Sequence, residues 1–313
     1  MNLQQLRFIC EIADARLNIS QAARTLHVHQ PGISKQVQAL EDELGFRIFE
    51  RRGSRLSGIT ADGAKILTMA QNIMAEVRNI KAISQAASGQ HTDPLVIAAT
   101  HTQARYVLPD IVGRFAARYP DVRVILRHSD PARMLELVRS GGADIGVSTD
   151  EPSAMKGLVS LPCRSFAKQV IVPHGHPLLD AGQPTLASLA RYPLVTYDPM
   201  FTAGRQIMAA FDRAGIEPTL SVIAIGADVI KTYVEKGLGI AVLSEASFDA
   251  ERDVGLRAIP AGDLFEPSTT RIFLRSNQYL QPHQYEFIEM CGPRWTRAAV
   301  QAEMEKARHQ QMD

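Results

Sequence analysis

Hydrophobic residues in the first 45 positions recur every three to four residues, the spacing of one helix face. The pattern predicts three helices separated by short polar turns. The second begins at Asn18 or Ser20, residue types that favour helix N-caps, and the third begins at Pro31 and ends at Gly45. The predicted buried faces consist of Leu3, Leu6, Ile9, Cys10 and Ala13 in the first helix, Ala22, Ala23 and Leu26 in the second, and Ile33, Val37, Leu40 and Leu44 in the third.

A longer amphipathic segment follows a short basic stretch. Residues 46–59 predict a two-stranded β-ribbon that turns around Arg51, Arg52 and Gly53. Residues 61–88 predict one helix about 40 Å long. Because a small domain does not need a helix of that length for its own packing, we expect this helix to pair with a second copy of the chain. Its predicted seam consists of Ile66, Ala70, Ile73, Val77 and Ile80.

From residue 94 onward, short β-branched runs alternate with helical segments. This alternation predicts an α/β fold with mainly parallel sheets, and two such series over about 200 residues predict two lobes. The predicted strands are residues 95–99, 122–126, 144–148, 169–172, 194–197, 220–225, 240–243 and 271–274.

These patterns divide the chain into five parts. We assign residues 1–59 to a helical domain with a ribbon, 60–90 to a connecting dimerisation helix, 91–163 and 268–292 to lobe I, 164–267 to lobe II, and 293–313 to a charged, loosely held tail.

The overall composition is that of an ordinary globular protein with no global charge bias. Of 313 residues, 45% are apolar and 21% charged, and the formal net charge is +1. Any surface that binds nucleic acid therefore has to be local. No apolar run is long enough to span a bilayer and the N-terminus lacks the pattern of an export signal, so we expect a cytoplasmic location. Cys10, Cys163 and Cys291 form no CxxC pair, which fits a reducing compartment.

Motifs for catalysis and metal binding are absent from the sequence. The nine histidines occur without HExxH or CxxC, and neither GxxxxGK[ST] nor GxSxG is present. Cys163 has a possible redox role, but a lone cysteine is more often a small buried hydrophobe. We therefore expect no enzymatic activity, no metal and no cofactor.

The second and third predicted helices, joined by a tight turn, have the form of a helix-turn-helix unit that reads DNA. Ala22 and Ala23 allow the third helix to approach closely. An ordinary helical hairpin with a solvated polar face is the alternative, but the basic ribbon and the paired helix favour double-stranded DNA as partner. The side chains suited to base edges and phosphates are Gln30, Pro31, Ser34, Lys35 and Gln38 on the helix, and Arg47, Arg51, Arg52 and Arg55 on the ribbon.

The order of these features resembles the N-terminal region of LysR-type transcriptional regulators. The resemblance lies in residues 20–26, 30–37, 40–45, 49–51 and 60–63. It implies a winged helix-turn-helix, a linker helix and a two-lobed α/β effector-binding domain of the periplasmic-binding-protein type. Gln30, Ser34 and Lys35 match the family's pattern, whereas residues 27–29 depart from it, because serine or threonine is usual just before the glutamine.

Polar residues also follow three of the predicted strands. Thr100, Thr102 and Gln103 follow the first strand after residue 94, Thr149 follows residues 144–148, and Thr202 lies beyond residues 194–197. Ligands of open α/β sheets bind at the carboxyl ends of strands, and adjacent helix N-termini favour a carboxylate or sulfate without a full cationic partner. Each threonine taken singly has the commoner alternative role of a helix N-cap.

Residues 100–106, 192–197 and 227–234 extend the resemblance to the CysB-like branch, regulators of cysteine biosynthesis and sulfur assimilation. It implies an effector between the lobes, N-acetylserine or its O-acetyl precursor, with sulfate or thiosulfate in the same region. Thr100, Thr102, Gln103, Thr149 and Thr202 match the effector pocket of that branch, whereas Phe166 replaces its usual tryptophan. The implied partners are promoter DNA, RNA polymerase and further copies of the chain, as a dimer of dimers.

The sequence leaves three other interpretations of function to compare with this one. A sister branch of the same family controls sulfonate utilisation. The C-terminal part alone fits a solute-binding protein, although the sequence shows no export signal. An enzyme of acyl or phosphoryl transfer would need a base, metal cluster or cofactor loop that the sequence does not identify.

Overall fold

The computed structural model describes residues 1–53, 55–88, 94–150 and 157–310. The chain divides into two compact units, residues 1–90 and 91–313. The predicted boundary between residues 90 and 91 itself lies outside the described residues. None of the described helices is long and apolar enough to cross a membrane.

The first unit contains four helices and a two-stranded ribbon. The asparagine side chains at positions 2 and 18 cap the first two helices, by accepting hydrogen bonds from the backbone amides of Gln5 and Gln21. The third helix ends at Gly45, whose positive φ of 76° is the left-handed conformation that favours glycine. The elements are α1 (Leu3–Asp14), α2 (Ile19–Thr25), α3 (Gln30–Leu44), β1 (Phe49–Arg52), β2 (Arg55–Ile59) and α4 (Ala61–Ser88).

The core of this unit lies where α1, α2 and α3 pack together with the start of α4. Ala22 and Ala23 are buried there, as their small size predicts. The predicted face of α1 is partly wrong, because Leu3 is exposed while Phe8 and Ile12 are buried. In a helix, positions 5, 8, 9 and 12 follow the same i, i+3, i+4 spacing as positions 6, 9, 10 and 13. The apolar pattern alone therefore does not set the rotation of α1.

Helix α4 matches its predicted bounds, and it carries apolar side chains that nothing in its own unit covers. Leu67, Ala70 and Ala75 are buried, whereas Ile73 and Ile80 of the predicted seam are exposed. A second row therefore runs along the outer face at heptad spacing, formed by Met69, Ile73, Ile80 and Ile83.

The second unit begins with lobe I, in which helices flank a five-stranded sheet. The strand order is β4-β3-β5-β12-β6, with β4, β3 and β5 parallel and β12 antiparallel to both of its neighbours. The elements are β3 (Leu95–Ala99), α5 (Leu108–Arg118), β4 (Val124–His128), α6 (Pro131–Ser140), β5 (Ile145–Ser148), β6 (Leu158–Phe166), β12 (Ser268–Arg275), α10 (Pro282–Cys291) and α11 (Arg297–His309).

Lobe II is inserted between β6 and β12 and has its own hydrophobic core. Strands β8 and β9 pair in parallel, and β7 lies between β10 and β11 in an antiparallel sheet. A bridge from Leu194 to Ile240 joins the two groups. The elements are β7 (Lys168–Pro173), α7 (Leu186–Leu189), β8 (Leu194–Tyr197), α8 (Thr202–Arg213), β9 (Leu220–Ala224), α9 (Ala227–Glu235), β10 (Ala241–Ser244) and β11 (Leu256–Pro260).

Three features of this unit correct the sequence-based expectations. The sheets are mixed rather than mainly parallel, and β6 and β11 were not predicted. Pro162 and Pro260 weaken the strand pattern, yet both lie on edge strands, where proline removes no essential hydrogen bond. The predicted loose tail is also corrected over its described residues, 293–310, because α11 buries Val300 and Met304 in the core of lobe I.

Substitution Met304→Ala tests whether α11 is an integral part of lobe I. The side chain is 1% exposed, and truncation of such a residue costs about 3 kcal/mol through lost burial and the cavity left behind. We expect a lower urea midpoint for the unfolding of the second unit. The control, Gln301→Ala on the exposed side of the same helix, should change the midpoint little, and equal effects of the two changes would contradict the packing.

Candidate DNA interface and effector cavity

The N-terminal part of α3 presents a polar surface to solvent. Gln30, Pro31, Lys35 and Gln38 are exposed, and Ser34 is half-buried. Pro31 occupies the first turn, where its missing N–H costs nothing. The preceding turn uses a positive φ of 55° at position 27, one of the three residues at which this sequence departs from its resemblance.

Two of these amide side chains have partners within the unit. Ser20 Oγ donates to Gln30 Oε1 at 2.9 Å, and Gln38 Nε2 donates to Asp42 Oδ1 at 3.1 Å. The first bond joins α2 to α3 and the second lies within α3, and both leave the rest of each amide for a further partner. The Lys35 side chain is exposed as well.

The neighbouring ribbon arginines Arg51 and Arg52 differ in their surroundings. Arg52 is exposed, whereas Arg51 is half-buried and its Nη2 lies 3.4 Å from Glu41 Oε2. Glu41 is only 3% exposed, and its other oxygen accepts the amides of Ile48 and Phe49 at 2.9 and 3.1 Å. This buried carboxylate therefore fixes the ribbon to α3, and Arg51 helps to compensate its charge. Sequence reasoning missed Glu41, because a glutamate in a helix normally lies on the solvated face.

In the second unit, one cavity between the lobes brings together all six residues predicted to contact an effector. Its volume is about 40 Å³, room for about three water molecules. The six residues come from lobe I, from the crossing between the lobes and from lobe II: Thr100, Thr102, Gln103, Thr149, Phe166 and Thr202.

The lobe I side of the cavity is rigidly held. Thr100 follows β3 and is buried, and a π-helical turn over Gln103–Val107 leads from it into α5. Thr270 Oγ1 on β12 donates to Gln103 Oε1 at 2.8 Å. Because the amide oxygen of Gln103 accepts this bond, the amide nitrogen of Gln103 remains as a further donor on this wall. Thr270 was not predicted, because it lies in the middle of a strand far along the chain.

A buried carboxylate connects the two lobes at the cavity. Asp150 is 8% exposed and follows β5 of lobe I. Its Oδ2 accepts a 2.5 Å hydrogen bond from Ser148 Oγ, and its Oδ1 accepts one from Thr202 Oγ1 of lobe II. Arg205 Nη2 lies 3.4 Å from the same Oδ1 and donates to Thr202 Oγ1 at 3.0 Å. Thr202 is the first residue of α8, and its hydroxyl also contributes to a contact between the lobes.

A second contact between the lobes lies beside the cavity. The hydrogen bond between His101 Nε2 and Asp228 Oδ1 is 3.0 Å long, and Arg105 Nε lies 3.7 Å from Asp228 Oδ2. Burial alone would raise the pKa of the Asp228 carboxyl. The Val229 amide and the two basic side chains outweigh burial and hold this pKa below its ordinary value.

The cavity also contains a buried lysine that sequence reasoning overlooked. Lys168, the first residue of β7, is 2% exposed, and its Nζ donates to Ser268 Oγ at 2.5 Å. Burial lowers the pKa of Lys168 to about 8. The sequence-based expectation was an anion site without a full cationic partner, whereas the lining of this cavity includes a lysine. A lysine at the start of an apolar strand gives no sequence signal of which way it faces.

The cysteines show no sign of activation. Burial raises the pKa of Cys163 to about 11 and raises that of Cys291 well above its ordinary value. Because the thiolate is the reactive form, both half-buried side chains behave as small apolar groups packed against the core of lobe I. Among residues 1–53, 55–88, 94–150 and 157–310, no group of histidine, cysteine or acidic side chains has the arrangement of a metal site.

Comparison with known protein families accounts for nearly the whole chain. Residues 3–64 match the model of the bacterial regulatory helix-turn-helix protein, lysR family, and residues 88–296 match the LysR substrate binding domain. The two matched regions correspond to the helix-turn-helix unit with the start of α4 and to both lobes.

Individual relatives agree with these matches. Two regulators of Burkholderia cenocepacia, the HTH-type transcriptional regulators SsuR and CysB, are each 41% identical to this chain. The SsuR alignment covers 96% of this chain and 97% of the relative, and the CysB alignment covers 96% of both. The crystal structure of the cofactor-binding domain of the Cbl transcriptional regulator aligns with a TM-score of 0.65 at 33% identity, over 68% of this chain and 94% of that one. This chain belongs to the LysR family of transcriptional regulators.

Proposed function

We propose that this chain regulates genes of cysteine biosynthesis and sulfate assimilation. Its effector is a small sulfur-related anion or an acetylated serine, bound in the cavity between the lobes. The observation that carries the proposal is the convergence of four threonines and one glutamine on a single cavity that joins two lobes. Hydroxyl and amide donors around a largely buried space suit oxyanions and carboxylates.

The effector is proposed to act by shifting the populations of two lobe arrangements. The bonds from Asp150 to Thr202 and from Asp228 to His101 exist only when the lobes are close together. An anion that contacts both walls binds this arrangement more tightly than an open one. A 100-fold preference would supply about 2.7 kcal/mol of coupling, enough to change how the oligomer holds its promoter.

The proposed promoter interface is the N-terminal part of α3 together with the exposed Arg52 of the ribbon. Gln30, Ser34 and Gln38 offer groups that pair with base edges, and Lys35 and Arg52 neutralise phosphates. Exposed apolar residues on α4 support pairing of two chains through this helix. A dimer of dimers and contact with RNA polymerase complete the proposal.

Substitution Lys35→Ala tests the DNA interface. Loss of one phosphate contact should weaken binding to a promoter fragment at every salt concentration and reduce the slope of log Kobs against log salt by about one. Fluorescence anisotropy over a salt series measures both quantities. Lys306→Ala on α11 serves as the matched control, because it removes an exposed lysine outside the first unit. Identical salt slopes for Lys35→Ala and wild type would contradict the assignment.

Substitution Ile80→Glu tests pairing through α4. Ile80 is 67% exposed in the isolated chain, and a second copy would bury it. A carboxylate at that position should dissociate the oligomer, because it would be buried without a partner. Light scattering after size exclusion measures the mass. Lys81→Glu, which lies about 100° around the same helix and is also exposed, should keep the wild-type mass; loss of mass in both variants would argue against a specific seam.

Substitution Thr102→Val tests the effector cavity. The change removes one hydroxyl at nearly constant volume, so DNA binding should persist while sulfate or N-acetylserine no longer alters it. Promoter anisotropy with increasing effector measures the response, and calorimetry measures the affinity. Thr219→Val, at an exposed position outside the cavity, should respond like wild type. Undiminished affinity in Thr102→Val would remove Thr102 from the site.

Regulation of sulfonate utilisation is the second candidate. It is favoured by Phe166, which replaces the tryptophan expected for the cysteine regulators and reshapes one cavity wall. The relatives named SsuR and CysB are equally identical to this chain, so overall similarity does not separate the two candidates. Genome-wide mapping of bound promoters during growth on sulfate, cysteine or a sulfonate would distinguish them.

A further inference from the structure

We propose that Lys168 is the charge partner of the effector, so that anion binding in the cavity depends on protonation of this side chain. The proposal rests on the proposed function above and adds to it a specific ligand class, an oxyanion or carboxylate, and a residue that recognises it. It extends the site from hydroxyl and amide donors to one buried cation.

The ammonium group of Lys168 is incompletely coordinated. Lys168 is 2% exposed, and within the described residues its Nζ has one hydrogen-bond partner, the hydroxyl of Ser268. An ammonium group has three donors and seeks compensation for its charge when it is buried. Both Lys168 and Ser268 line the cavity. The unused donors therefore belong to a group that enters the cavity.

The neighbouring charged groups of the cavity do not neutralise Lys168. Asp150 shares the cavity, but its oxygens are already engaged by Ser148, Thr202 and Arg205. The other titratable groups on the cavity wall are His101, which bonds to Asp228, and Tyr197, whose pKa is raised by burial.

The elements that pack against β7 do not neutralise the ammonium group either. On β10 the residue paired with Lys168 is Ser244, and the following Glu245 accepts the amide of Ala167 and is exposed. On α9, Lys231 is committed to Asp253 at 2.6 Å. Arg257 of β11 pairs at the far end of β7 with Val172.

The size of the cavity also restricts the ligand. A cavity of about 40 Å³ accepts a compact group with several acceptor oxygens in this arrangement of the lobes. A sulfate ion or the carboxylate of an acetylated serine presents such acceptors to Lys168, Gln103 and the threonines together. A neutral ligand of that size would leave the ammonium charge uncompensated.

The expected pH dependence follows from the direction of the pKa shift. Burial lowers the pKa of Lys168 to about 8, so the free protein loses the charge as pH rises through 8. Because the anion binds the charged form, affinity is full below that pH and falls above it. Sulfate keeps its charge throughout this range. Its Kd should therefore weaken about tenfold between pH 7 and pH 9, and binding at pH 8 should take up about half a proton.

Calorimetry on the full-length chain tests the proposal with sulfate, thiosulfate and N-acetylserine as separate probes. Titrations at pH 7 and pH 9, and at pH 8 in buffers of different ionisation enthalpy, give affinity and proton uptake. The variants are Lys168→Met, which keeps the length and removes the charge, and Lys168→Arg, which stays charged across the range. Lys236→Met on the exposed surface is the control, and thermal unfolding verifies that each variant is folded.

The proposal expects Lys168→Met to bind at least about tenfold more weakly than wild type at pH 7 and to take up no proton. Lys168→Arg should bind with little change between pH 7 and pH 9, a result that a purely structural lysine would not produce. Wild-type affinity in a folded Lys168→Met variant, or equal wild-type affinity at pH 7 and pH 9, would overturn the role of Lys168.

The outcomes separate this proposal from the effector site as a whole. If Thr102→Val abolishes binding while Lys168→Met does not, the role of Lys168 fails and the cavity stands. If the wild-type protein binds none of the three anions at either pH, the effector class of the proposed function fails as well. Tighter binding of one anion would identify which source of the shared oxyanion chemistry the cavity prefers.

Discussion

Burial of charge between the two lobes is the constraint that organises the second unit. Asp150 and Lys168 both lie within the cavity, and each is almost fully removed from water. A buried charge is tolerated only when hydrogen bonds or an opposite charge compensate it. Asp150 obtains compensation from the facing lobe, which ties the lobes together. Lys168 obtains one hydroxyl, and this difference is the basis of the proposal that the cavity binds anions.

The same principle operates in the first unit for a different purpose. Glu41 is a buried carboxylate that accepts two backbone amides and lies beside one arginine of the ribbon. Its compensation is complete within the unit, so it sets the position of β1 relative to α3 and leaves no demand for a ligand. A buried charge thus stabilises a fixed geometry where its partners are internal, and we propose that it creates a binding site where they are not.

The surfaces proposed for oligomerisation and for ligand response are separate. The heptad row on α4 is apolar and exposed, and its burial requires only a second copy of the helix. The cavity has hydroxyl, amide and charged side chains among apolar ones in its lining, and its proposed occupancy depends on the closeness of the lobes. Because one set of contacts is apolar and the other is ionic, salt and pH should act mainly on the cavity and on the DNA interface. The family to which the chain belongs combines these parts in one polypeptide.

Local patterns were enough to predict the helix-turn-helix, the long helix over residues 61–88 and most strands of the lobes, because helix periodicity, caps and β-branched runs act over a few residues. They also predicted five residues that line one cavity, because the carboxyl ends of strands meet at one edge of a sheet; the sixth, Phe166, came from the family resemblance alone. The antiparallel β6 and β11, the packing of α11 and the rotation of α1 depended on contacts between distant segments. So did the burial of Glu41, Asp150 and Lys168. The direction in which a charged side chain points is decided by the elements that pack around it, and no local pattern records that.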